Sequence, residues 1–475
     1  MPNRPHKRYS TGSNAPERSG DARNQAATVL RIDGPAHLGQ GVGRLDGKVW
    51  MIPFSAVGDT VMAVPEKDHG SWIAGRLVSI AQPGPGRVEP FCPVYGMCGG
   101  CHLQHIDAQA ERQWKTTVLR DVLERIARIE PGPVRYLAGS DRSCRCRVLM
   151  HAGGGRGTRD AGFFQAGSHR IVRPGQCPVA VEPVARLLEP IRQLVRNGGG
   201  AGDATIEPVC GADGKVVVVV NQESGDPTAL CEAIAGLPGV SGVLFRGGRP
   251  GWRKIGAGSV RWPTAGLPGQ VEYIDVDPRG FTQSHIEMNP TLVETVIGAL
   301  GDGIQGMKVL ELFAGSGNFT LGLAMRGASV VATDINAAAV RAAADGFESR
   351  GLHVDHESGD IEDVLSRMVA GFGRPQAILA DPPRSGLGRQ AAAVAGLKAD
   401  RVVLCSCEPS ALARDLGPFL LAGYGIDEIT LVDMFPQTYH METVISLTFN
   451  RLCGESPFRS GNAKPDSDRN PGDLT

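Results

Sequence analysis

The run MKVLELFAGSGNFTLGLA, residues 307–324, limits the possible folds more than any other stretch of the chain. A row of apolar residues long enough for one buried strand breaks at Gly315 and Gly317 and passes directly into a helical pattern. Strand, glycine turn and helix in that order form half of a βαβ unit. Further apolar runs, ASVVATD, QAILAD and RVVLCS, alternate with alanine-rich helical stretches up to about residue 453. Residues 266–453 are therefore expected to form an open, largely parallel sheet with helices on both faces.

In such sheets ligands bind beyond the carboxyl ends of the strands. The loop after MKVLELF is neither the GxGxxG dinucleotide fingerprint nor a GK[ST] phosphate loop. Its small residues still let the backbone approach a ligand closely. The next strand ends at Asp334, where a carboxylate can accept from both hydroxyls of a ribose, and Asp360 follows in SGDIED. These features together look like a class I S-adenosylmethionine site. Asp381, at the end of QAILAD and ahead of two prolines, falls at the same kind of position.

Between residues 26 and 85 the pattern changes to short alternating runs, ATVLRID, KVWMIPF, DTVMAVP and WIAGRLVSI, separated by Gly, Asp and Pro. That spacing predicts a small all-β barrel. Residues 86–265 mix signals and form a central domain. Within it Trp114, Val118, Val122, Ile126 and Ile129 recur at nearly helical spacing, which predicts one amphipathic helix. The polar ends, 1–25 and 454–475, are expected to be disordered tails.

Eleven cysteines, an odd number in a chain with no apolar leader and no membrane-length apolar run, point away from a disulfide framework. The cytoplasm is the expected compartment. In FCPVYGMCGGCHLQH, Cys92, Cys98 and Cys101 stand close together on a glycine-rich loop, and Cys177 follows in RPGQCPVA. Three such thiolates and a distant fourth can hold an iron–sulfur core or a zinc ion, and spacing alone leaves the two open. Cys144 and Cys146 alternate with Arg and read as a strand, which favours Cys177 as the fourth ligand. A net charge of −1 gives no global sign of nucleic-acid binding. Locally, Arg145, Arg147, Arg156, Arg159, Arg170 and Arg173 form a candidate phosphate-contacting stretch.

Taken in order, CPVYGMCGGCHLQH with Cys177, GFTQSH, LFAGSGNFTL, ADPPRSG, CSCEP and FPQTYHMET resemble the S-adenosylmethionine-dependent RNA uracil-5-methyltransferases, particularly the ribosomal-RNA branch. The resemblance covers residues 26–450. It implies a multidomain protein with an OB-like, TRAM-like barrel at the amino terminus. A central α+β iron–sulfur and RNA-binding domain and a Rossmann-like class I methyltransferase domain would follow. It implies that Gln283, Phe313, Gly315, Asn318, Asp334, Asp360 and Asp381 line the cofactor and target-base pocket. Cys407 would be the nucleophile and Glu442 the proton acceptor, and Cys92, Cys98, Cys101 and Cys177 would carry a [4Fe-4S] cluster. The expected substrate is a uridine in 23S ribosomal RNA, flipped from a single-stranded loop, with transfer RNA as the alternative. The protein is expected to act as a monomer with no membrane partner. An RNA-binding iron–sulfur protein with a degenerate methyltransferase domain is the competing reading.

Four positions depart from the family pattern: Glu311, His285, Glu408 and Gln437. Glu408 bears most on the chemistry, because a carboxylate beside Cys407 would raise the pKa of its thiol and reduce the thiolate fraction. Cys405, inside the apolar run, reads as a buried and inert strand residue.

Overall fold

The computed structural model describes residues 27–154, 159–173, 175–198 and 202–449, with the backbone of 459–460. Both expected tails, 1–25 and 454–475, and Arg156 lie outside the described residues, except for Arg459 and Ser460. The chain divides into two compact units. The first comprises residues up to 34 and 40–85. The second comprises Pro35–Gly39 and everything from Gly86 onward.

In the first unit five strands, β1 (Thr28–Pro35), β2 (Gln40–Leu45), β3 (Lys48–Pro53), β4 (Thr60–Asp68) and β5 (Trp72–Gln82), close into a barrel in the order β1-β2-β3-β5-β4. Alternation in each strand sends Leu30, Ile32, Trp50, Ile52, Val61 and Ala63 inward, which is the core that the short apolar runs require.

The second unit opens with α1 (Ala108–Val122), capped by Asp107, whose carboxylate accepts from the amide of Ala110. Trp114, Val118 and Leu119 are buried along it. The helical pattern does not carry through to Ile129 as the spacing predicts. A wider π-type turn spans Leu123–Ala127, Arg128 takes a left-handed conformation, and Ile126 is exposed. Ile129 instead belongs to the short strand β6 (Ile129–Glu130).

After β7 (Val134–Ala138) come β8 (Met150–Gly153), β9 (Asp160–Phe164), β10 (Ile171–Val172), α2 (Glu182–Arg196), β11 (Ala204–Cys210), β12 (Val216–Gln222), α3 (Thr228–Ala235), β13 (Val240–Gly247) and β14 (Arg249–Gly256). The strands from β8 to β14 form one seven-stranded sheet, β10-β9-β8-β11-β12-β13-β14. Val216 to Val220 are all buried because β12 sits between two neighbours with both faces covered. Helix α2 packs on this sheet through Val184, Leu187, Leu188, Ile191 and Val195, one stripe at helical spacing.

A hairpin, β15 (Val260–Ala265) with β16 (Val271–Val276), and α4 (Asn289–Gly298) lead to the main sheet. Its elements are β17 (Lys308–Leu312), α5 (Thr320–Met325), β18 (Ser329–Asp334), α6 (Ala337–Glu348), β19 (Asp355–Ser358), α7 (Ile361–Gly371), β20 (Ala377–Ala380), α8 (Ala391–Gly396), β21 (Arg401–Ser406), α9 (Pro409–Leu421), β22 (Tyr424–Asp433) and β23 (Glu442–Phe449). The order is β19-β18-β17-β20-β21-β23-β22-β7. Strands β17 to β21 run parallel, and β23 runs antiparallel to β21 and β22. The edge is β7, from the first third of the chain, parallel to β22. Among the described residues, no helix is long and apolar enough to cross a membrane.

Helix α1 is tied to the end of β22 by charge. Lys115, fully buried, has its ammonium 2.8 Å from Glu111 and 2.7 Å from Asp433, and donates to the Phe435 carbonyl at 3.2 Å. Tyr136 of β7 donates to the other oxygen of Asp433 at 2.6 Å. The attraction of both carboxylates keeps the Lys115 pKa above its usual value although burial acts against it. Removing that cation strands two buried carboxylates, so Lys115→Met is expected to lower the stability of this unit by about 3–5 kcal/mol in urea unfolding. A loss below about 1 kcal/mol would show that water already screens the triad.

Candidate active site

Strand direction assembles the site. The carboxyl ends of β17, β18, β20 and β21 present Phe313, Asp334, Asp381 and Cys407. Strand β23 runs the other way, so its first residue, Glu442, arrives at the same end. The register pairs Ser406 with Thr443 and Cys405 with Val444, which sets Glu442 beside the end of β21.

The loop after β17 is shaped for close approach. Phe313, Gly315 and Gly317 all have positive φ, and a methyl group on Gly317 would lie 2.5 Å from the Phe347 ring. Asp334 accepts from the amide of Gly315 at 2.9 Å with one oxygen and from that of Asn336 at 2.7 Å with the other. Asp360 is exposed just before α7 and accepts from the amide of Glu362. The side chain of Asn318 is engaged: it exchanges hydrogen bonds with Asn289 at 2.7 and 3.0 Å. Gln283 is buried and its amide oxygen has no hydrogen-bond partner, an open acceptor inside the protein.

Glu311, the substituted acid of β17, is wholly buried. One of its oxygens accepts from the Thr320 hydroxyl at 2.7 Å and the other is unpartnered. Burial, then the charges of Asp381 and Asp334, raise its pKa to about 8. Burial likewise raises Asp381 to about 7. Glu442 is pushed well up by burial and by Asp381.

The oxygens of Asp381 and Glu442 and the sulfur of Cys405 all lie within 4.8 Å of one another, and the Cys405 thiol donates to Glu442 at 3.3 Å. Cys405 is buried, as its apolar surroundings suggest, but it touches this acidic pair, a contact that the reading of it as inert overlooks. A signal was available: Cys405 lies two residues before Cys407, which follows directly on the end of the same strand, so alternation sends both toward one face. Cys407 is half-buried, and its thiol is pushed up to about 12 by burial, then by Glu442 and Asp381, while Arg384, hydrogen-bonded to it, pulls the other way.

The expected conflict with Glu408 takes another form. Its carboxylate caps α9 through the Ser410 amide at 3.3 Å and pairs with His37 at 3.3 Å, which holds its pKa below the usual value. The groups that raise the thiol are Glu442 and Asp381. His285 is buried with Nε2 against the Ser140 carbonyl at 3.0 Å. Gln437, in a left-handed conformation, accepts at its carbonyl from the amides of His102 and Leu103 at 2.8 and 3.1 Å, and its own amide donates to Glu111 at 2.8 Å.

Cys92, Cys98, Cys101 and Cys177 line one cavity of about 550 Å³, together with His102, Gln104, Arg145 and Phe164. Burial raises the thiols of Cys92, Cys98 and Cys177. Arg145 reaches toward Cys101, with its nitrogen 3.9 Å from the sulfur. Cys144 and Cys146 are fully buried and do not line this cavity. The arginine-rich stretch is not a single free surface. Arg147 pairs with Glu207 at 2.8 Å, Arg173 with Asp160 at 2.6 Å, and Arg159 donates to the Gly202 carbonyl, leaving Arg170 exposed.

A family model described as tRNA (Uracil-5-)-methyltransferase matches residues 270–354 and 372–450. The 23S rRNA (uracil(1939)-C(5))-methyltransferase RlmD of Chromohalobacter salexigens is 32% identical, over 93% of this chain and 94% of that protein. Its counterpart in Halomonas elongata is 30% identical, over 90% of each. The crystal structure of the Pyrococcus abyssi tRNA (uracil-54, C5)-methyltransferase with S-adenosyl-L-homocysteine superposes with a TM-score of 0.67. It covers 89% of this chain and 100% of that one, at 24% identity.

The Glu311 carboxyl, raised in the folded protein, contributes stability that is complete below about 4.5 and is lost as pH rises through about 8. Glu311→Gln removes this dependence. Its stability relative to the parent is expected to rise by a few kcal/mol between about pH 5 and about pH 9. Urea unfolding at the two pH values measures the difference, and equal differences at both would place the ionisation elsewhere.

Proposed function

Because the chain belongs to the RNA uracil-5-methyltransferase family, we propose that the acidic, thiol-bearing end of its main sheet moves a methyl group from S-adenosylmethionine to carbon 5 of a uridine in 23S ribosomal RNA. The observation that carries this reading is the antiparallel register of β23. It sets Glu442 beside β21, the strand that leads to Cys407, and within 4.8 Å of Asp381.

The residues divide the work as follows. The glycine loop, Asp334 and Asp360 hold the cofactor, with the orphaned oxygen of Glu311 and Phe313 lining its far end. Gln283, with its open acceptor, and Asp381 hold the uracil ring, and Asn318 supports the loop through Asn289. S-adenosylmethionine supplies a methyl group on a cationic sulfur.

Carbon 5 of uracil is a poor nucleophile until a group adds to carbon 6. The Cys407 sulfur bonds to carbon 6 and the displaced π electrons make carbon 5 nucleophilic. A thiol with a pKa near 12 is protonated in the free protein, so attack releases its proton to solvent as the uracil docks; Arg384 favours the thiolate. Carbon 5 takes the methyl group as its bond to the sulfonium breaks, leaving S-adenosylhomocysteine, and Glu442 then removes the remaining proton from carbon 5. The electrons of that C–H bond restore the C5–C6 double bond, and the Cys407 sulfur departs with its pair.

The four cysteines fit an iron–sulfur core better than zinc. Among the described residues, no three of them come within 4.8 Å of one another. Tetrahedral zinc with Zn–S bonds of ~2.3 Å would hold thiolates roughly 3.8 Å apart. A [4Fe-4S] cluster on Cys92, Cys98, Cys101 and Cys177 would supply a rigid crosslink within residues 86–265. The central domain would hold a single-stranded RNA loop, the barrel at 26–85 would by itself offer an OB-like surface for RNA, and residues 266–453 would carry the chemistry. In this reading the protein works as a monomer in the cytoplasm, with no membrane partner.

With S-adenosylmethionine and a 23S RNA fragment, the expected product is 5-methyluridine by nucleoside mass analysis, and Cys407→Ala is expected to lower the rate by roughly 10³-fold or more. RNA carrying 5-fluorouridine is expected to trap a covalent complex with the parent protein and none with Cys407→Ala. An N-methylated nucleoside as product would overturn the assignment. Protein purified without oxygen is expected to contain iron and acid-labile sulfide, both lost in Cys98→Ser. Stoichiometric zinc in their place would remove the cluster from the scheme.

A further inference from the structure

Cys405 is a buried thiol at the active end of the sheet that the scheme above leaves unused. Its single S–H faces two carboxylates, Glu442 at 3.3 Å and Asp381, in a space where all three ligating atoms lie within 4.8 Å. A thiol is a weak donor, yet it is the only hydrogen donor shown for either oxygen pair among the described residues. We infer that Cys405 is a positioning residue: its S–H bridges Asp381 and Glu442, orients the Glu442 carboxylate and keeps it ready to take the proton from carbon 5. The inference rests on the covalent scheme proposed above and deepens it.

The physical reason is the crowding of like charge. Two carboxylates at this distance in a buried site tend to share one proton, and the proton that neutralises them also disables the base. A donor on the acidic pair stabilises the ionised form without supplying a charge of its own. The other ionisable groups facing this pair are Cys407 and Glu311, both of which oppose ionisation, while Arg384 faces Cys407. Without the Cys405 donor, Glu442 would hold its proton to higher pH.

The step that suffers is therefore elimination. Glu442 takes the carbon 5 proton, the C–H pair restores the double bond and the sulfur of Cys407 leaves carbon 6. Addition of Cys407 and methyl transfer come before it and do not need the base. Loss of the Cys405 donor is expected to let methylated RNA accumulate on the protein.

The test uses the full-length protein and unsubstituted uridine RNA, with Cys405→Ala, Cys405→Val and Cys405→Ser. Val fills the thiol volume without a donor, so it keeps the test open should Ala fail to fold. Ala and Val are expected to release methylated RNA roughly tenfold more slowly, with protein–RNA adduct visible on denaturing gels. The acid limb of their pH–rate profile should move to higher pH. Ser, which keeps a donor, is expected to recover release and to move the acid limb back. Equal slowing of adduct formation and release, or Ser behaving like Val, would overturn the inference in favour of simple packing. If the parent protein itself traps no 5-fluorouridine RNA, the covalent scheme fails and this inference with it. If the parent traps and the Cys405 variants release normally, the scheme stands and only the role of Cys405 falls.

Discussion

The Lys115 ammonium, buried between Glu111 and Asp433, is the interaction on which the rest of the active end depends. It joins a helix near the amino terminus to the last residue of β22, and its partner Glu111 also accepts from the Gln437 amide. From the other side, the amides of His102 and Leu103, next to Cys101, donate to the Gln437 carbonyl. The loop between β22 and β23 is thus clamped twice, and β23 begins with Glu442. A left-handed Gln437 is tolerable because both its peptide groups are hydrogen-bonded in that conformation. The cysteine site and Glu442, the proposed base, are in this way parts of one hydrogen-bonded framework.

The second constraint is the concentration of acid at the sheet end. Glu311, Asp334, Asp381 and Glu442 come from four different strand ends, with the Arg384 guanidinium beside Cys407. Folding such a site costs stability at neutral pH, which is the usual form of a site prepared for a cation. A ligand carrying a sulfonium and an ammonium group suits it better than a phosphate would. That agrees with a loop lacking the lysine that phosphate loops use.

Much of this was legible in the residues. The parallel sheet, the barrel and the convergence of three Cys residues with Cys177 follow from periodicity and spacing, because strand alternation and glycine turns act locally. The positions of Asp334, Asp381 and Cys407 follow from where strands end. Other features depended on contacts across hundreds of residues. Nothing near Lys115 shows that its partner is Asp433, and nothing near Glu408 shows that it turns to His37. The arginines between 142 and 173 read as a candidate phosphate-contacting stretch, yet Arg147 and Arg173 are spent on internal carboxylates. The helical spacing of Ile126 was misleading, since a π-type turn rotates it out of the stripe. The role of Asn318 in holding Asn289 required the tertiary fold.

The edge strand β7 carries a consequence for synthesis. It lies near residue 136, whereas its partner β22 lies near residue 430, and the Lys115–Asp433 pair spans 318 positions. On the ribosome the amino-terminal third emerges first, with α1 and β7 displaying a buried lysine and an unpaired strand edge for which no partner yet exists. The sheet closes only when the final strands leave the exit tunnel. Contacts of such long separation close slowly, so the nascent chain spends most of its translation with this surface exposed, and the catalytic end is the last part of the molecule to form.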